Sequence, residues 1–170
     1  ELLAHAPRVI GFGVYIWNVN ETLALMQAIR AAAPDVVLIV GGPEVSYEYD
    51  AQTICQLADY VITGWGELTL PKLLAQIIRG PKPLMKVHIG EQAKLADLVL
   101  PYDYYTDKDL TTRNIYVEAS RGCPFKCEFC LSSLDKTAWA FPLDGFLQAM
   151  DALYQRGART FKFVDRTFNL

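Results

Sequence analysis

The chain has 170 residues, enough for one ordinary domain or for a small domain with part of a second. Apolar residues make up 52% and charged residues 21%, which excludes a disordered profile, and a net charge of −3 offers no basic footprint for nucleic acid. No stretch of about 18 apolar residues is present, so no membrane span is expected, and no signal peptide is visible.

From Glu1 to about Gly80 the pattern alternates strand and helix. Arg8–Tyr15 reads as an apolar strand, and Asn20 as the cap of a helix that buries Leu23, Met26, Ile29 and Ala33 and stops at Pro34-Asp35. Val36–Val40 is a continuous apolar run, as expected of a parallel strand buried on both faces. A weaker helix follows at about Asp50–Ala58, then a strand at Tyr60–Thr63 and a helix at Leu68–Ile78, with Pro71 tolerated in its first turn. This β-α-β-α-β-α order predicts a doubly wound parallel sheet with right-handed crossovers. Ligands of such sheets bind beyond the carboxyl ends of the strands. Those ends carry Tyr15-Ile16-Trp17-Asn18, Gly41-Gly42-Pro43-Glu44 and Gly64-Trp65-Gly66-Glu67. The dinucleotide fingerprint is missing, since Gly11-Phe12-Gly13 lies inside a strand and lacks a third glycine.

Gly80-Pro81-Lys82-Pro83 breaks the pattern, Leu84–Ile89 allows a short strand, and the polar, tyrosine-rich 95–112 reads as an exposed connector. A strand-like run, Asn114–Ala119, then leads into Arg121-Gly122-Cys123-Pro124-Phe125-Lys126-Cys127-Glu128-Phe129-Cys130. Three of the four cysteines fall here, spaced C-x3-C-x2-C, with Gly122 and Pro124 placing them on a loop. Clustered soft thiolates point to zinc or to an iron–sulfur cluster. Structural zinc takes four closed ligands, usually as two pairs, whereas this trio has no second pair and only His5 and His88 elsewhere. Three cysteines on a 4Fe–4S cluster leave one iron open. A zinc knuckle and buried core thiols are the alternatives, and Cys55, on a helix far from the trio, reads as a small buried apolar residue. Pro142 and Asp144 then open a helix with Phe146, Leu147, Met150 and Leu153 on one face, Gly157 ends it, and Phe161–Asp165 is a strand.

The cysteine loop, with aromatic Phe129 just before its last thiol, resembles the signature of the radical S-adenosylmethionine (SAM) enzymes. The resemblance implies that Cys123, Cys127 and Cys130 hold a 4Fe–4S cluster whose open iron is chelated by SAM. The reduced cluster then cleaves SAM to a 5′-deoxyadenosyl radical, and Phe129 lies beside the adenine. Phe163-x-Asp165-x-x-Phe168 is similar to the family's second-strand motif, whose polar groups, here Asp165 and Thr167, reach the SAM amino acid or ribose. A helix N-cap is the competing role for Asp165, and Glu118 is placed either into the barrel or outward. Together with this loop, the glycine turns resemble the cobalamin-binding domain that precedes the radical core in cobalamin-dependent radical SAM proteins. There Gly41, Gly42, Gly64, Gly66 and Glu67 would line the groove for the nucleotide tail of cobalamin, and Tyr15, Trp17 and Asn18 would face the corrin. Trp65 stands where that family usually has Glu, and the axial-histidine motif D-x-H-x-x-G is absent from this sequence.

The expected architecture is therefore α/β: a Rossmann-like cobalamin-binding domain over 1–80, a linker over 81–112, and the first strands of a partial (β/α)6 TIM-like radical SAM barrel over 113–170. Glu1 reads as the tail of a helix without an initiating Met, and Leu170 follows closely on a strand, so an internal piece of a longer protein is expected. The implied activity is radical methyl transfer to an unactivated carbon, with the fragment inactive alone. Cyclisation or oxidation, an electron carrier, and a non-catalytic cobalamin or metal-binding module are the alternatives. The cofactors would be a 4Fe–4S cluster, SAM and cobalamin. The partners would be a small-molecule substrate and an electron donor such as flavodoxin or ferredoxin, with no nucleic acid or membrane, in a reducing cytoplasm.

Overall fold

The computed structural model describes residues 1–130 and 137–167, which form two compact units, Glu1–Ala93 and Lys94–Leu170. In the first unit, strands β1 (Val9–Gly13), β2 (Val37–Gly41), β3 (Tyr60–Thr63) and β4 (Val87–Ile89) make one parallel sheet in chain order. Helices α1 (Val19–Ala32), α2 (Thr53–Leu57) and α3 (Thr69–Arg79) connect them.

Side chains alternate across a strand, so neighbours in β2 and β3 serve opposite faces. Leu38, Val40 and Val61 pack with Met26 and Ile29 of α1 and Ile54 and Cys55 of α2. Val37, Ile39, Tyr60 and Ile62 pack with Leu73 and Ile77 of α3. All four β3 residues are buried, which is why both strands read as unbroken apolar runs. Asp59 ties the layers, because its carboxylate accepts from the Leu38 amide at 2.7 Å and from Arg30 of α1 at 2.7 Å.

The doubly wound expectation holds, with one correction. The strands follow chain order, yet α1 and α2 cover one face and α3 the other. Parallel crossovers running the same way on opposite faces have opposite hands, so the β3–α3–β4 crossover differs from the first two. The change of face sends one chain exit to each side at the carboxyl ends of β2 and β3, and the crevice expected between such ends is where open α/β sheets bind ligands. A second correction concerns α1, which starts at Val19, because Asn18 rather than Asn20 occupies its N-terminal boundary. Among the described residues no helix is long and apolar enough to cross a membrane.

The second unit contains α4 (Asp107–Thr112), β5 (Ile115–Val117), β6 (Ser120–Gly122), β7 (Ala138–Ala140), α5 (Leu143–Gln155) and β8 (Phe161–Phe163). β5 and β8 pair in parallel, joined through α5, and β6 and β7 pair antiparallel. Tyr102, Leu110, Ile115, Val117, Phe146, Leu153 and Ala158 form its core. The expected strand–loop–helix–strand order is present as one β/α unit, with a two-stranded ribbon inserted that the sequence did not announce. Two parallel strands do not by themselves define a barrel.

The short strand allowed at Leu84–Ile89 is present as β4, whereas 95–112 is not wholly the exposed connector its polarity suggested. β4 extends the first sheet, and Tyr102 and Leu110 are buried in the second core. The Tyr102 hydroxyl accepts from the Glu118 amide at 2.9 Å and donates to the Glu118 carbonyl at 3.2 Å. Tyr105 does the same at Tyr116, with distances of 3.1 and 3.0 Å. Residues two apart on a strand aim their backbone groups the same way, so the two phenols stand along β5 as a neighbouring strand would. Thr106 caps α4 in a reciprocal box with Asp109.

Candidate functional site

The crevice between β2 and β3 is built from backbone. The Val14 amide donates to Gly41 O at 2.7 Å, carrying the pairing of β1 with β2 past the strand ends. Gly42 then turns with φ +114°, and a Cβ there would lie 2.6 Å from Val14 O, so the first glycine turn is packed hard onto the end of β1. The second turn differs. Gly64 has φ +69° with open space where a Cβ would stand, and Gly66 is equally open. At Gly90 a Cβ would meet Trp65 O at 2.0 Å, and its amide donates to Thr63 O at 2.7 Å, so the backbone after β4 closes against this turn. Glu67 is half-buried at the entry to α3.

At the end of β1, Tyr15 and Trp17 stack with centroids 4.6 Å apart and planes 10° from parallel. Trp17 is 73% exposed. Asn18 stiffens this platform: its Oδ1 accepts from the Tyr15 amide at 2.8 Å and its Nδ2 donates to Gly13 O at 3.1 Å. The predicted residues Tyr15, Trp17, Asn18, Gly41, Gly42, Gly64, Gly66 and Glu67 thus all lie at the carboxyl ends of β1, β2 and β3. Ser46 escaped the sequence reading, as a single serine four residues beyond Gly42 carries no pattern. Its hydroxyl donates to Gly42 O at 2.8 Å and accepts from the Gly64 amide at 2.9 Å, joining the two glycine turns. This open backbone edge fits the tail of a large planar cofactor: Gly64 and Gly66 offer unscreened backbone, and Tyr15–Trp17 a flat apolar surface.

In the second unit the cysteine loop leaves from the β6–β7 ribbon. Gly122 has φ +87°, and a Cβ there would lie 2.0 Å from Thr137 O, so glycine is required where the loop departs. The Cys123 amide donates to Thr137 O at 3.1 Å, and the Cys130 amide donates to Cys127 O at 3.1 Å. All four cysteines are free of disulfides. The Cys123, Cys127 and Cys130 thiols are the donor set that an iron–sulfur cluster takes, so the residues fit such a cluster in kind. Among the described residues, however, no three His, Cys, Asp or Glu side chains are gathered as a metal-holding group. Phe129 is 95% exposed.

Asp165 follows β8 and, among the described residues, its carboxylate is engaged by the backbone corner after β5. Its carboxylate accepts from the Ala119 amide at 3.1 Å and from the Ser120 hydroxyl at 2.6 Å, pinning the corner between β5 and β6. The Thr167 hydroxyl donates to Cys123 Sγ at 3.0 Å. Phe168, the last residue of the second-strand motif, lies outside the described residues. Glu118 pairs with Arg121 in a two-pronged contact at 2.9 and 3.0 Å. Cys55 is buried, and loss of water raises its thiol pKa, so it stays protonated and apolar.

The fold and crevice define an α/β binding domain, open at a change of crossover face and edged with glycine backbone. Comparison with known proteins gives that class a name. Residues 1–74 match the B12-binding domain family. An uncharacterized methyltransferase of Pyrococcus horikoshii is 25% identical, the match covering 96% of this chain and 40% of that protein. The hopanoid C-3 methylase of Methylococcus capsulatus is 29% identical over 83% of this chain and 30% of its own length. The cobalamin-dependent radical SAM methyltransferase TokK of Streptomyces tokunonensis is 23% identical over 73% of this chain and 22% of its own. The chain spans less than half the length of each of these relatives. The resemblance read from the sequence stands: the first unit carries the match to the B12-binding domain family, and the chain is similar to proteins named as methyltransferases.

Proposed function

We propose that the chain is the cobalamin-binding and cluster-bearing part of a cobalamin-dependent radical SAM enzyme that transfers a methyl group to an unactivated carbon. The observation that carries this reading is the pair of glycine turns at the carboxyl ends of β2 and β3, which lie inside the segment matching the B12-binding family. When bound, cobalamin supplies a transferable methyl group, and the cluster with SAM supplies the radical that opens a carbon–hydrogen bond. The protein's own residues bind and orient. Gly64 and Gly66 admit the nucleotide tail, and Tyr15 and Trp17 face the corrin. Cys123, Cys127 and Cys130 hold the cluster, with the Cys123 sulfur oriented by the Thr167 hydroxyl. Asp165 acts through Ser120 and Ala119 to fix the corner from which the loop departs, and exposed Phe129 is available to the adenine. The β5–α5–β8 unit is the start of a (β/α)6 barrel, and a small-molecule substrate and an external electron donor complete the reaction in a reducing cytoplasm.

Anaerobic reconstitution of this chain tests the binding half, with one hydroxocobalamin and about four irons per chain expected. Uptake of zinc in place of iron would leave a cobalamin-binding module. In a chain extended to its relatives' length, reductant and SAM should yield 5′-deoxyadenosine and a methylated product. 5′-Deoxyadenosine without methylation would favour cyclisation or oxidation.

A further inference from the structure

We propose that Ser46 is the positioning residue that sets the opening of the crevice between β2 and β3, and through it the affinity for cobalamin. The proposal rests on the cobalamin reading. One hydroxyl uses both of its bonding capacities across the gap, donating to Gly42 O in the turn after β2 and accepting from the Gly64 amide in the turn after β3. No β-ladder bond joins the strands at this point, because the paired register of β2 with β3 ends at Gly41 and Ile62. The crevice exists because the chain leaves β2 and β3 toward opposite faces, so the two turns diverge. Ser46 crosses that divergence.

Its placement is fixed from behind. Val45 beside it is fully buried in the core between α1, α2 and the sheet. The Ser46 amide donates to Pro43 O at 3.3 Å and the Glu44 amide to Val14 O at 3.3 Å. Gln52 holds the same loop with its Nε2, which donates to Glu44 O at 2.8 Å and Tyr47 O at 3.0 Å. The hydroxyl is therefore preorganised. It engages Gly64 through the amide alone, leaving the open side of Gly64, where a Cβ would meet nothing within 4 Å, facing outward. Removing the hydroxyl frees the Gly64 turn, at φ +69°, to explore other conformations, and a ligand that needs the turn in place must then restore it on binding.

The test is a titration of the chain with hydroxocobalamin, run beside the apo melting temperature and amide exchange at Gly64. Ser46→Ala should raise Kd about tenfold or more and speed Gly64 exchange, with the apo melting temperature lowered by only a few degrees. Ser46→Thr, which keeps the hydroxyl, should restore Kd to within about threefold of the parent. Parent-like affinity in Ser46→Ala would overturn the proposal while leaving the cobalamin reading intact. Weak binding in Ser46→Thr despite a parent-like melting temperature would also overturn it, by showing that the hydroxyl is not what matters. Absence of hydroxocobalamin binding in the parent chain would overturn both.

Discussion

Gly42 and Gly66 belong to turns of similar composition and carry different duties. At Gly42 a side chain would run into Val14 O at 2.6 Å and meet a φ of +114°, a region L residues seldom adopt. Gly42→Val should therefore destabilise the first unit itself, visible as a lowered melting temperature without any ligand. Gly66 has open space at its Cβ position. Gly66→Val should keep the apo melting temperature and weaken hydroxocobalamin binding more than tenfold, about 1.4 kcal/mol. A normal Kd in that variant would remove Gly66 from the ligand's path. The cysteines divide in the same way. Alanine at Cys123, Cys127 or Cys130 should abolish iron uptake on reconstitution. Cys55→Ala should leave it unchanged, because that thiol is buried and its raised pKa keeps it protonated. Loss of iron in Cys55→Ala would mean a four-cysteine site. These residues were legible in the sequence because glycine after a strand and C-x3-C-x2-C are patterns. Ser46, Ser120 and Gly90 were not, since each acts through a contact with a residue distant in the chain.

At the scale of elements, the apolar runs disclosed β2 and β3, but the face taken by each helix depends on which alternate side chains it meets. That is why the hand of the third crossover could not be read from element order. The β6–β7 ribbon was hidden for a related reason: Ser120-Arg121-Gly122 has no alternating apolar signal, and its partner lies beyond the cysteine loop. The tyrosine pair on β5 was masked by a polar neighbourhood. Tyr102→Phe would strip the Glu118 amide and carbonyl of their phenol partner, at a cost of about 1–3 kcal/mol. Faster amide exchange at Glu118 should accompany the loss, and an unchanged rate would show that water replaces the phenol without penalty. Burial raises the Tyr102 pKa above the ordinary tyrosine value, with the nearby Glu118 and Asp165 charges adding to it. The folded state therefore retains the proton longer than the unfolded chain does. The stability this contributes is full below about pH 10 and declines as pH rises through that value toward the higher folded pKa. Tyr102→Phe should flatten this alkaline decline.

Taken as a whole, the chain folds as two units that each have their own core, and the proposed function gives each unit one cofactor site. The division was legible as a change from strand–helix alternation to a cysteine-bearing loop. The unit boundary at Ala93–Lys94 was not, because buried Tyr102 and Leu110 sit in a polar stretch. If the candidate residues are the true ones, each cofactor should leave a local imprint. Hydroxocobalamin at a hundredfold its Kd should stabilise the state it binds by about 2.7 kcal/mol. The residues assigned to it predict slowed amide exchange at 41–46 and 64–67, where the glycine turns present their backbone. Iron and sulfide should slow exchange at 122–130 instead, through the Cys123 and Cys130 amides that already bond Thr137 O and Cys127 O. Each addition should be read separately by exchange mass spectrometry on the same chain. Protection by hydroxocobalamin centred on the α3–β4 side of the sheet, with both glycine turns unchanged, would move the cofactor site away from the crevice. Ser46 and Gly66 would then be left as parts of the scaffold.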